Sequence, residues 1–123
     1  MESNNKRTLV IGASTNPERY SNKAIQMLRE YNHDVVALAK RTGNVDDVTI
    51  QTDFPDEARI HTVTLYIGAT RQPEYYEHIL KLNPQRVIFN PGTENSEFKK
   101  MLESKSIETV EGCTLVMLRT NQF

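Results

Sequence analysis

Short apolar runs alternate with amphipathic stretches along the whole chain. The apolar runs span residues 8–11, 35–39, 62–67, 86–90 and 107–110. Each is four to six residues long and is bounded by turn-forming or polar residues, which is typical of buried strands. Apolar residues at helical spacing predict helices over 22–31 and 73–82 and a third helix from Ser96, with Ser21 and Ser96 as N-caps.

Three other segments fit this pattern less well. Residues 48–50 suit a short extended piece, and Pro55 opens at most one helical turn. Residues 113–118 are apolar and suit either a strand or a helix, because their periodicity does not decide between the two. With right-handed crossovers, the clear elements predict a doubly wound α/β fold, a mainly parallel sheet of about five strands with helices on both faces. We expect one domain over residues 1–123, with residues 1–5 frayed.

Charge and cysteine content narrow the class of protein. The formal net charge of −1 gives no basic field that would recruit nucleic acid. No apolar run approaches the roughly 18 residues of a membrane span, and the N-terminal residues lack the apolar core of a signal peptide. We therefore expect a cytoplasmic protein that binds no membrane. Cys113 is the single cysteine, which excludes an intrachain disulfide and a CxxC pair.

Ligands of doubly wound sheets bind beyond the carboxyl ends of the strands. This rule selects the four loops that follow Ile11, Ala39, Ile67 and Phe89. The expected ligand-binding residues lie in these loops or at the start of the helix that follows. They are Gly12, Ala13, Ser14, Thr15, Ser21, Lys40, Arg41, Gly68, Thr70, Arg71, Asn90 and Pro91.

The loop after the first strand has features of an anion-binding turn. Gly12 permits a tight turn, and the small Ala13 and Ser14 let backbone N–H groups approach a pyrophosphate. The hydroxyls of Ser14, Thr15 and Ser21 are further donors, and the N-terminus of the following helix favours an anion. Neither the GxGxxG fingerprint nor the P-loop lysine motif is present, so an ordinary strand–helix turn explains this loop equally well.

Two cations follow the second strand. In a NAD site this position carries Asp or Glu for the ribose hydroxyls, whereas here it carries Lys40 and Arg41. Cations favour a phosphate over a pair of hydroxyls. This loop therefore predicts a nucleotide with a ribose phosphate, either coenzyme A or NADP. The alternative is a solvated loop tip, which is common for a Lys-Arg pair.

The third and fourth loops carry weaker signals. Gly68 permits a ligand to approach closely, and Thr70 and Arg71 are donors just before a helix. A helix N-terminal turn with a surface arginine explains these residues equally well. Asn90 and Pro91 either form part of a type II turn or line the crevice where a pantetheine arm leaves it.

Candidate catalytic groups are scarce. His33, His61 and His78 are expected away from the four loops, and no metal-ligand spacing occurs. Cys113 lies between a glycine and an apolar run, where a lone cysteine is more often a small buried hydrophobe than a nucleophile. We therefore expect the chain to bind a small-molecule nucleotide with no catalytic residue and no metal.

Several blocks of the sequence resemble a known family. The first block, VIGASTNPER over residues 10–19, resembles the opening strand and loop of the stand-alone CoA-binding domain proteins. The likeness continues in order through Lys40, the TRQPE block at 70–74, the strand that ends in Asn90, and the EGCT block at 111–114. These proteins have a Rossmann fold similar to the N-terminal domain of the succinyl-CoA synthetase α subunit.

The resemblance implies a ligand and a set of contacts. It implies coenzyme A as the ligand, with contacts at Ala13, Ser14, Lys40, Thr70 and Arg71. The synthetase domain that contains its phosphorylated histidine has no counterpart in this sequence, so the resemblance implies binding without acyl-CoA ligation.

The sequence departs from the family in two of these blocks. Residues 37–40 are Ala-Leu-Ala-Lys, where the family usually has Val-Asn-Pro-Lys. Residues 88–90 are Ile-Phe-Asn, where the family has Trp-Leu-Gln. The first departure keeps the lysine and loses the Asn-Pro turn, so the adenosine side of the pocket is expected to differ in shape.

Three functions remain open at this point. The first is a coenzyme A or acyl-CoA binding module, and the second is an NADP-type reductase or redox sensor. The third is a degenerate Rossmann domain that serves as an interaction module for a protein partner. Cys113 also has two interpretations, since the resemblance places its counterpart near the crevice, where a CoA thiol could form a mixed disulfide with it.

Overall fold

The computed structural model describes residues 5–55 and 59–123. Seven strands in this part of the chain form a single sheet. The strands are β1 Thr8–Ile11, β2 Val35–Leu38, β3 Gly43–Val45, β4 Val48–Gln51, β5 Thr62–Leu65, β6 Arg86–Phe89 and β7 Glu108–Glu111. The α-helices are α1 Tyr20–Glu30, α2 Tyr76–Leu82, α3 Ser96–Ser104 and α4 Thr114–Arg119, and two 3-10 turns, Ala69–Arg71 and Pro73–Tyr75, precede α2.

The order of the strands creates a switch point at β1. The sheet order is β3-β4-β2-β1-β5-β6-β7, and every neighbouring pair is parallel except the β3–β4 hairpin. From β1 the chain first adds β2 and β4 on one side and then crosses to add β5, β6 and β7 on the other. Loops that leave in opposite directions open a crevice between them at the carboxyl ends of the strands.

The central strand β1 is buried on both faces, which explains its unbroken apolar sequence. Leu9 and Ile11 belong to a core cluster that includes residues of α2 and α3. Val10 points to the opposite face and packs with residues of α1 and α4. The helices therefore cover both faces of the sheet, and the predicted doubly wound α/β class is confirmed.

The sheet is larger than the five strands expected from the sequence. The expected extended piece at 48–50 is β4, and the added strand β3 pairs with it antiparallel through a turn at Asp46, which has φ 52°. β3 was not predicted because it has only three residues, of which Val45 alone is buried. The segment at 113–118, which the periodicity left open, forms α4 after Cys113.

The N-caps of two helices differ from those expected. α1 begins at Tyr20 with Arg19 as its N-cap residue, so Ser21 lies inside the first turn. α3 is capped by Asn95, whose side-chain oxygen accepts a hydrogen bond from the Phe98 N–H at 3.1 Å. Asn and Ser are equally good N-cap residues, so the residue types alone do not separate Asn95 from Ser96. In the structure the backbone geometry makes Asn95 the N-cap.

Two further expectations concern the ends of the described segments. Residues 1–4 of the expected frayed terminus lie outside the described residues. Asn5 is described, and its side-chain amide donates to Asp34 at 2.9 Å, so it is held against the turn after α1. The expected helical turn at Pro55 would continue into residues 56–58, which also lie outside the described part.

The Asn90 side chain links three elements at the end of β6. Its amide nitrogen donates to the Thr64 hydroxyl at 2.7 Å and to the Leu65 carbonyl at 2.8 Å, both in β5. Its amide oxygen accepts from the backbone N–H of Thr114, the first residue of α4, at 2.9 Å. Asn90 is only 2% exposed, so removing its amide would take this partner from the buried Leu65 carbonyl and Thr114 N–H, whereas the Thr64 hydroxyl would keep its 2.8 Å hydrogen bond to the Thr114 hydroxyl.

Replacing Asn90 with leucine is expected to lower the free energy of unfolding by about 2–4 kcal/mol, because the Leu65 carbonyl and the Thr114 N–H lose their partner. Urea unfolding followed by circular dichroism measures this change. Asn44→Leu, at an exposed position of β3, is the control and is expected to change stability by less than about 0.5 kcal/mol. A loss below about 1 kcal/mol for Asn90→Leu would contradict the linking role.

Two histidines lie in a cationic cluster at the amino ends of the strands, opposite the crevice. His33 is buried, accepts a hydrogen bond from the backbone N–H of Lys6 at 2.9 Å, and packs its ring against Phe123 with centroids 5.0 Å apart. Burial, followed by the charges of Lys6 and Arg86, lowers the pKa of His33 below its ordinary 6.5. Burial, followed by Arg86 and Lys6, likewise lowers the pKa of His61.

Stability is therefore expected to fall as the pH drops below about 6.5, since the unfolded chain then binds more protons than the folded one. The contribution of these histidines is present above pH 6.5 and is lost as the pH falls through their lowered pKa values. Urea midpoints between pH 7.5 and 5 measure the dependence, and His33→Asn is expected to make it shallower. A pH dependence as steep in His33→Asn as in the wild-type protein would refute the assignment.

Candidate functional site

A crevice of about 840 Å³ opens at the carboxyl edge of the sheet, at the switch point between β1 and its neighbours. The loops after β1, β2, β5 and β6 form its walls, as the sequence predicted from the order of elements. Ten of the twelve expected residues line it: Gly12, Ala13, Ser14, Thr15, Ser21, Lys40, Arg41, Gly68, Arg71 and Pro91.

Two of the expected residues lie outside the crevice lining. Thr70 is exposed in the 3-10 turn Ala69–Arg71. Asn90 is buried below the loops, and its amide is bonded to β5 and to the first residue of α4. The sequence could not separate a strand-end amide that faces a ligand from one that links strands, because both follow the same apolar run.

Gly12 determines the direction in which the chain leaves β1. This residue has φ 93°, and a β-carbon on it would lie 2.9 Å from the Tyr66 carbonyl oxygen. The N–H groups of Gly12 and Ala13 both donate to the Leu38 carbonyl, at 3.0 and 3.1 Å. The expected role of the Ala13 N–H as a phosphate donor therefore does not match the geometry, since that group already bonds the end of β2.

The rest of this loop is held against α1, which leaves the first turn of the helix facing the crevice. The Asn22 side-chain amide, 3% exposed, donates to the Ser14 carbonyl at 2.9 Å. The Ser14 hydroxyl accepts from the Asn16 N–H at 3.1 Å, which closes the turn locally. Because Ser21 lies in the first turn of α1, its N–H has no partner within the helix, as for any first-turn residue. Helix N–H groups of this kind, with the helix dipole, favour an anion.

Four cationic side chains line the crevice, and no carboxylate does so among the described residues. Lys40 and Arg41 follow β2, and Arg71 follows β5, as the sequence indicated. Arg19, the N-cap residue of α1, was missed because its loop position carries no local signal of function. Four positive charges with no lining counter-charge favour a multiply anionic ligand.

Lys40 has a carboxylate partner just outside this lining. The Lys40 Nζ lies 3.0 Å from the Glu74 Oε2. The Lys40 side chain is 61% exposed and the Glu74 side chain is 50% exposed. The hydrogen bond to Glu74 is the first cause of a raised pKa for Lys40, followed by the influence of Tyr75. An ion pair this exposed contributes little to folding, so Lys40 is available for exchange with a ligand anion.

A second cavity of about 580 Å³ adjoins the crevice and shares Lys40 and Tyr75 with it. Phe54 and His78 form one side of this aromatic cleft, with ring centroids 4.8 Å apart and planes inclined by 26°. Stacked rings beside a cationic crevice offer a surface for a planar heteroaromatic group. This cleft could not be predicted from the sequence, because Phe54 lies in a loop far from His78 of α2 along the chain.

Gln72 fixes the two loops on the far side of the crevice relative to each other. It is only 1% exposed, and its amide nitrogen donates to the carbonyls of Ile67 and Thr93, at 3.0 and 2.8 Å. Its amide oxygen accepts from the Asn95 amide at 2.9 Å. Since Ile67 and Thr93 both line the crevice, Gln72 sets the separation of its walls without touching its interior.

Tyr66 adjoins both the crevice and Cys113. Its ring contributes to the crevice lining, while its hydroxyl is buried without a hydrogen-bond partner among the described residues. Burial is the main cause that raises the pKa of Tyr66 to about 12, and nearby Cys113 contributes. Cys113 is half-buried and does not line the crevice. This placement agrees with a structural cysteine outside the crevice.

Cys113 is therefore expected to react slowly with a thiol reagent, about tenfold or more slower than in the urea-unfolded chain, whether or not coenzyme A is present. The absorbance of released thionitrobenzoate measures the rate, and the unfolded protein supplies the reference. Rapid labelling that saturating coenzyme A suppresses would instead make Cys113 a crevice residue.

Neither a metal-binding cluster nor a membrane-crossing helix occurs in the part of the chain that the structure describes. No group of three or more His, Cys, Asp or Glu residues is placed to hold a metal ion. Within the same ranges, no helix has the length and apolar character needed to cross a membrane.

The doubly wound sheet and the crevice at its switch point define a Rossmann-type α/β protein. The family model described as "CoA binding domain" matches residues 6–119, so the chain belongs to this CoA-binding domain family. The resemblance seen in the sequence blocks is thereby confirmed. A comparison with curated proteins gives no significant match.

Solved structures agree with this fold along nearly the whole chain. A crystal structure described as that of an uncharacterized protein is 41% identical, with a TM-score of 0.95, over 98% of this chain and 100% of that one. A protein from Thermus thermophilus is 20% identical with a TM-score of 0.86, covering 97% of this chain and 91% of its own. A hypothetical protein from Pyrococcus horikoshii OT3 is 22% identical with a TM-score of 0.85, covering 97% and 84%. The last two show similarity of fold alone.

Proposed function

We propose that this protein binds coenzyme A or an acyl-CoA in the crevice and holds it without catalysing a reaction of its own. The observation that carries this proposal is the crevice lining, in which four cations and no carboxylate of the described residues surround a switch-point cavity. Membership of the CoA-binding domain family supports the same ligand. The absence of a membrane-crossing helix from the described residues is compatible with a cytoplasmic role, which we include in the proposal.

The pyrophosphate is assigned to the loop after β1 and the start of α1. Ser14, Thr15 and Ser21 supply hydroxyl groups there, and the helix supplies its first-turn N–H groups. Arg19, at the N-cap of α1, adds a positive charge to the same wall. This arrangement uses the helix terminus and side chains, since the Ala13 N–H is already bonded to β2.

The ribose phosphate and the base are assigned to the side of the crevice near β2. Lys40 and Arg41 line that side, and cations of this kind bind a phosphomonoester. The aromatic cleft of Phe54 and His78 adjoins Lys40 and offers a stacking surface for the adenine ring. The pantetheine arm would then leave past Gly68 and the loop after β6.

The proposal gives no residue a catalytic role, because the crevice lining offers no histidine, cysteine or carboxylate among the described residues. Such groups are the usual acids, bases and nucleophiles of enzymes. NADP is the second candidate ligand, since the Lys40–Arg41 pair suits a 2′-phosphate as well as the 3′-phosphate of coenzyme A. The calorimetric comparison below separates the two ligands.

Coenzyme A is expected to bind more tightly than dephospho-coenzyme A by about 1.5–3 kcal/mol, because the missing phosphate loses a charge-assisted contact. Isothermal titration calorimetry measures both ligands, with NADP in parallel. Lys40→Met is expected to reduce the difference, and Lys100→Met on α3 is the matched control. Equal affinities for the two coenzymes would remove Lys40 and Arg41 from the site, and tighter binding of NADP would favour the second candidate.

Ser14→Glu is expected to weaken coenzyme A binding at least about 100-fold, because a carboxylate replaces a hydroxyl beside the pyrophosphate. The thermal midpoint should change little, since Ser14 lies in a loop above the core. Ser96→Glu makes the same change at the exposed start of α3 and should leave binding intact. Undiminished binding by Ser14→Glu would mean that the ligand lies elsewhere.

A further inference from the structure

The Lys40–Glu74 ion pair stands at the boundary between the crevice and the aromatic cleft. Lys40 and Tyr75 line both cavities, whereas Glu74 lines the cleft alone. The Lys40 Nζ lies 3.0 Å from the Glu74 Oε2 and 5.9 Å from the centre of the Tyr75 ring. The cation assigned to the ribose phosphate therefore has a carboxylate partner within the protein itself.

The two charges come from different parts of the fold. Lys40 follows β2, and Glu74 belongs to the 3-10 turn Pro73–Tyr75, which follows β5 on the other side of β1. The end of β2 usually carries a carboxylate where a ribose hydroxyl binds and a cation where a ribose phosphate binds. Here the Lys40 side chain supplies the cation after β2, and the turn Pro73–Tyr75 supplies the Glu74 carboxylate at the same place.

A phosphate that approaches Lys40 has to share it with this carboxylate. The side chains are 61% and 50% exposed, so the ion pair itself is weak and exchanges readily. The Glu74 charge nevertheless remains within a few ångströms of the incoming phosphate and repels it. A neutral ribose hydroxyl meets no such repulsion and can donate a hydrogen bond to the carboxylate.

We propose that Glu74 is a specificity-determining residue, whose carboxylate competes with the ligand's ribose phosphate for Lys40 and reduces the preference for phosphorylated ligands. The inference rests on the proposed function, since it assigns the ribose end of that same site. Its chemistry is common to any ribose phosphomonoester, whether the 3′-phosphate of coenzyme A or the 2′-phosphate of NADP. The carboxylate thus keeps affinity moderate for a ligand that the four cations would otherwise hold tightly.

Calorimetry on Glu74→Gln tests the proposal with two ligand pairs, coenzyme A against dephospho-coenzyme A and NADP against NAD. Glu74→Gln is expected to raise the affinity for the phosphorylated member of the pair that binds by about three- to tenfold. The affinity for the member without the phosphate should stay within about twofold or fall, because Glu74 faces a neutral hydroxyl in that ligand and the substitution relieves no repulsion there. Glu77→Gln removes the same charge from an exposed position on α2 and should change the affinities for both members equally.

The outcomes separate the two proposals. If the wild-type protein binds coenzyme A and Glu74→Gln leaves the ratio of affinities unchanged, the role of Glu74 is refuted and the proposed function stands. If Glu74→Gln weakens coenzyme A binding, Glu74 instead orients Lys40 for the phosphate, and the competition is refuted. If the folded wild-type protein binds neither ligand pair, the proposed function fails and the inference fails with it. A larger ratio in Glu74→Gln that Lys40→Met abolishes establishes the competition.

Discussion

The crevice at the carboxyl ends of the strands depends on one close contact between two backbone segments. Where the chain leaves β1, the α-carbon of Gly12 passes so near β5 that a β-carbon would lie 2.9 Å from the Tyr66 carbonyl oxygen. The chain then bonds back to β2 through the Leu38 carbonyl. These contacts turn the loop after β1 outward at the point where the strand order reverses, and the crevice occupies the space that the turn leaves open.

The strands buried on both faces could be predicted because their signal is local. β1 is four apolar or β-branched residues next to a glycine, and no other element suits that sequence. β3 could not be predicted, since Gly43 and Asn44 are poor strand residues and the strand exists through its antiparallel pairing with β4. α4 has only six residues, which is too short for a helical period to show. Its start instead depends on the Asn90 amide, 24 positions away in sequence.

The candidate site divides in the same way. Ser14, Lys40 and Arg71 could be predicted because a topological rule places the residues after each parallel strand at one edge. The roles of Gln72 and Glu74 could not be predicted from the sequence, because their partners Thr93 and Lys40 lie 21 and 34 positions away. The wall-forming and charge-balancing residues are thus visible only in three dimensions, while most residues that line the crevice follow from the order of elements.

The Gln72 side chain has a consequence for how the crevice can adapt to ligands of different size. Because one buried amide bonds the carbonyls of Ile67 and Thr93, the loops after β5 and β6 form a single rigid wall. The opposite wall, at Lys40 and Arg41, is exposed and has no comparable buried link among the described residues. Selection for a bulkier ligand would therefore act on the β2 side of the crevice, where substitutions lower the stability of the fold least. Relatives that bind different ligands should differ in sequence there first.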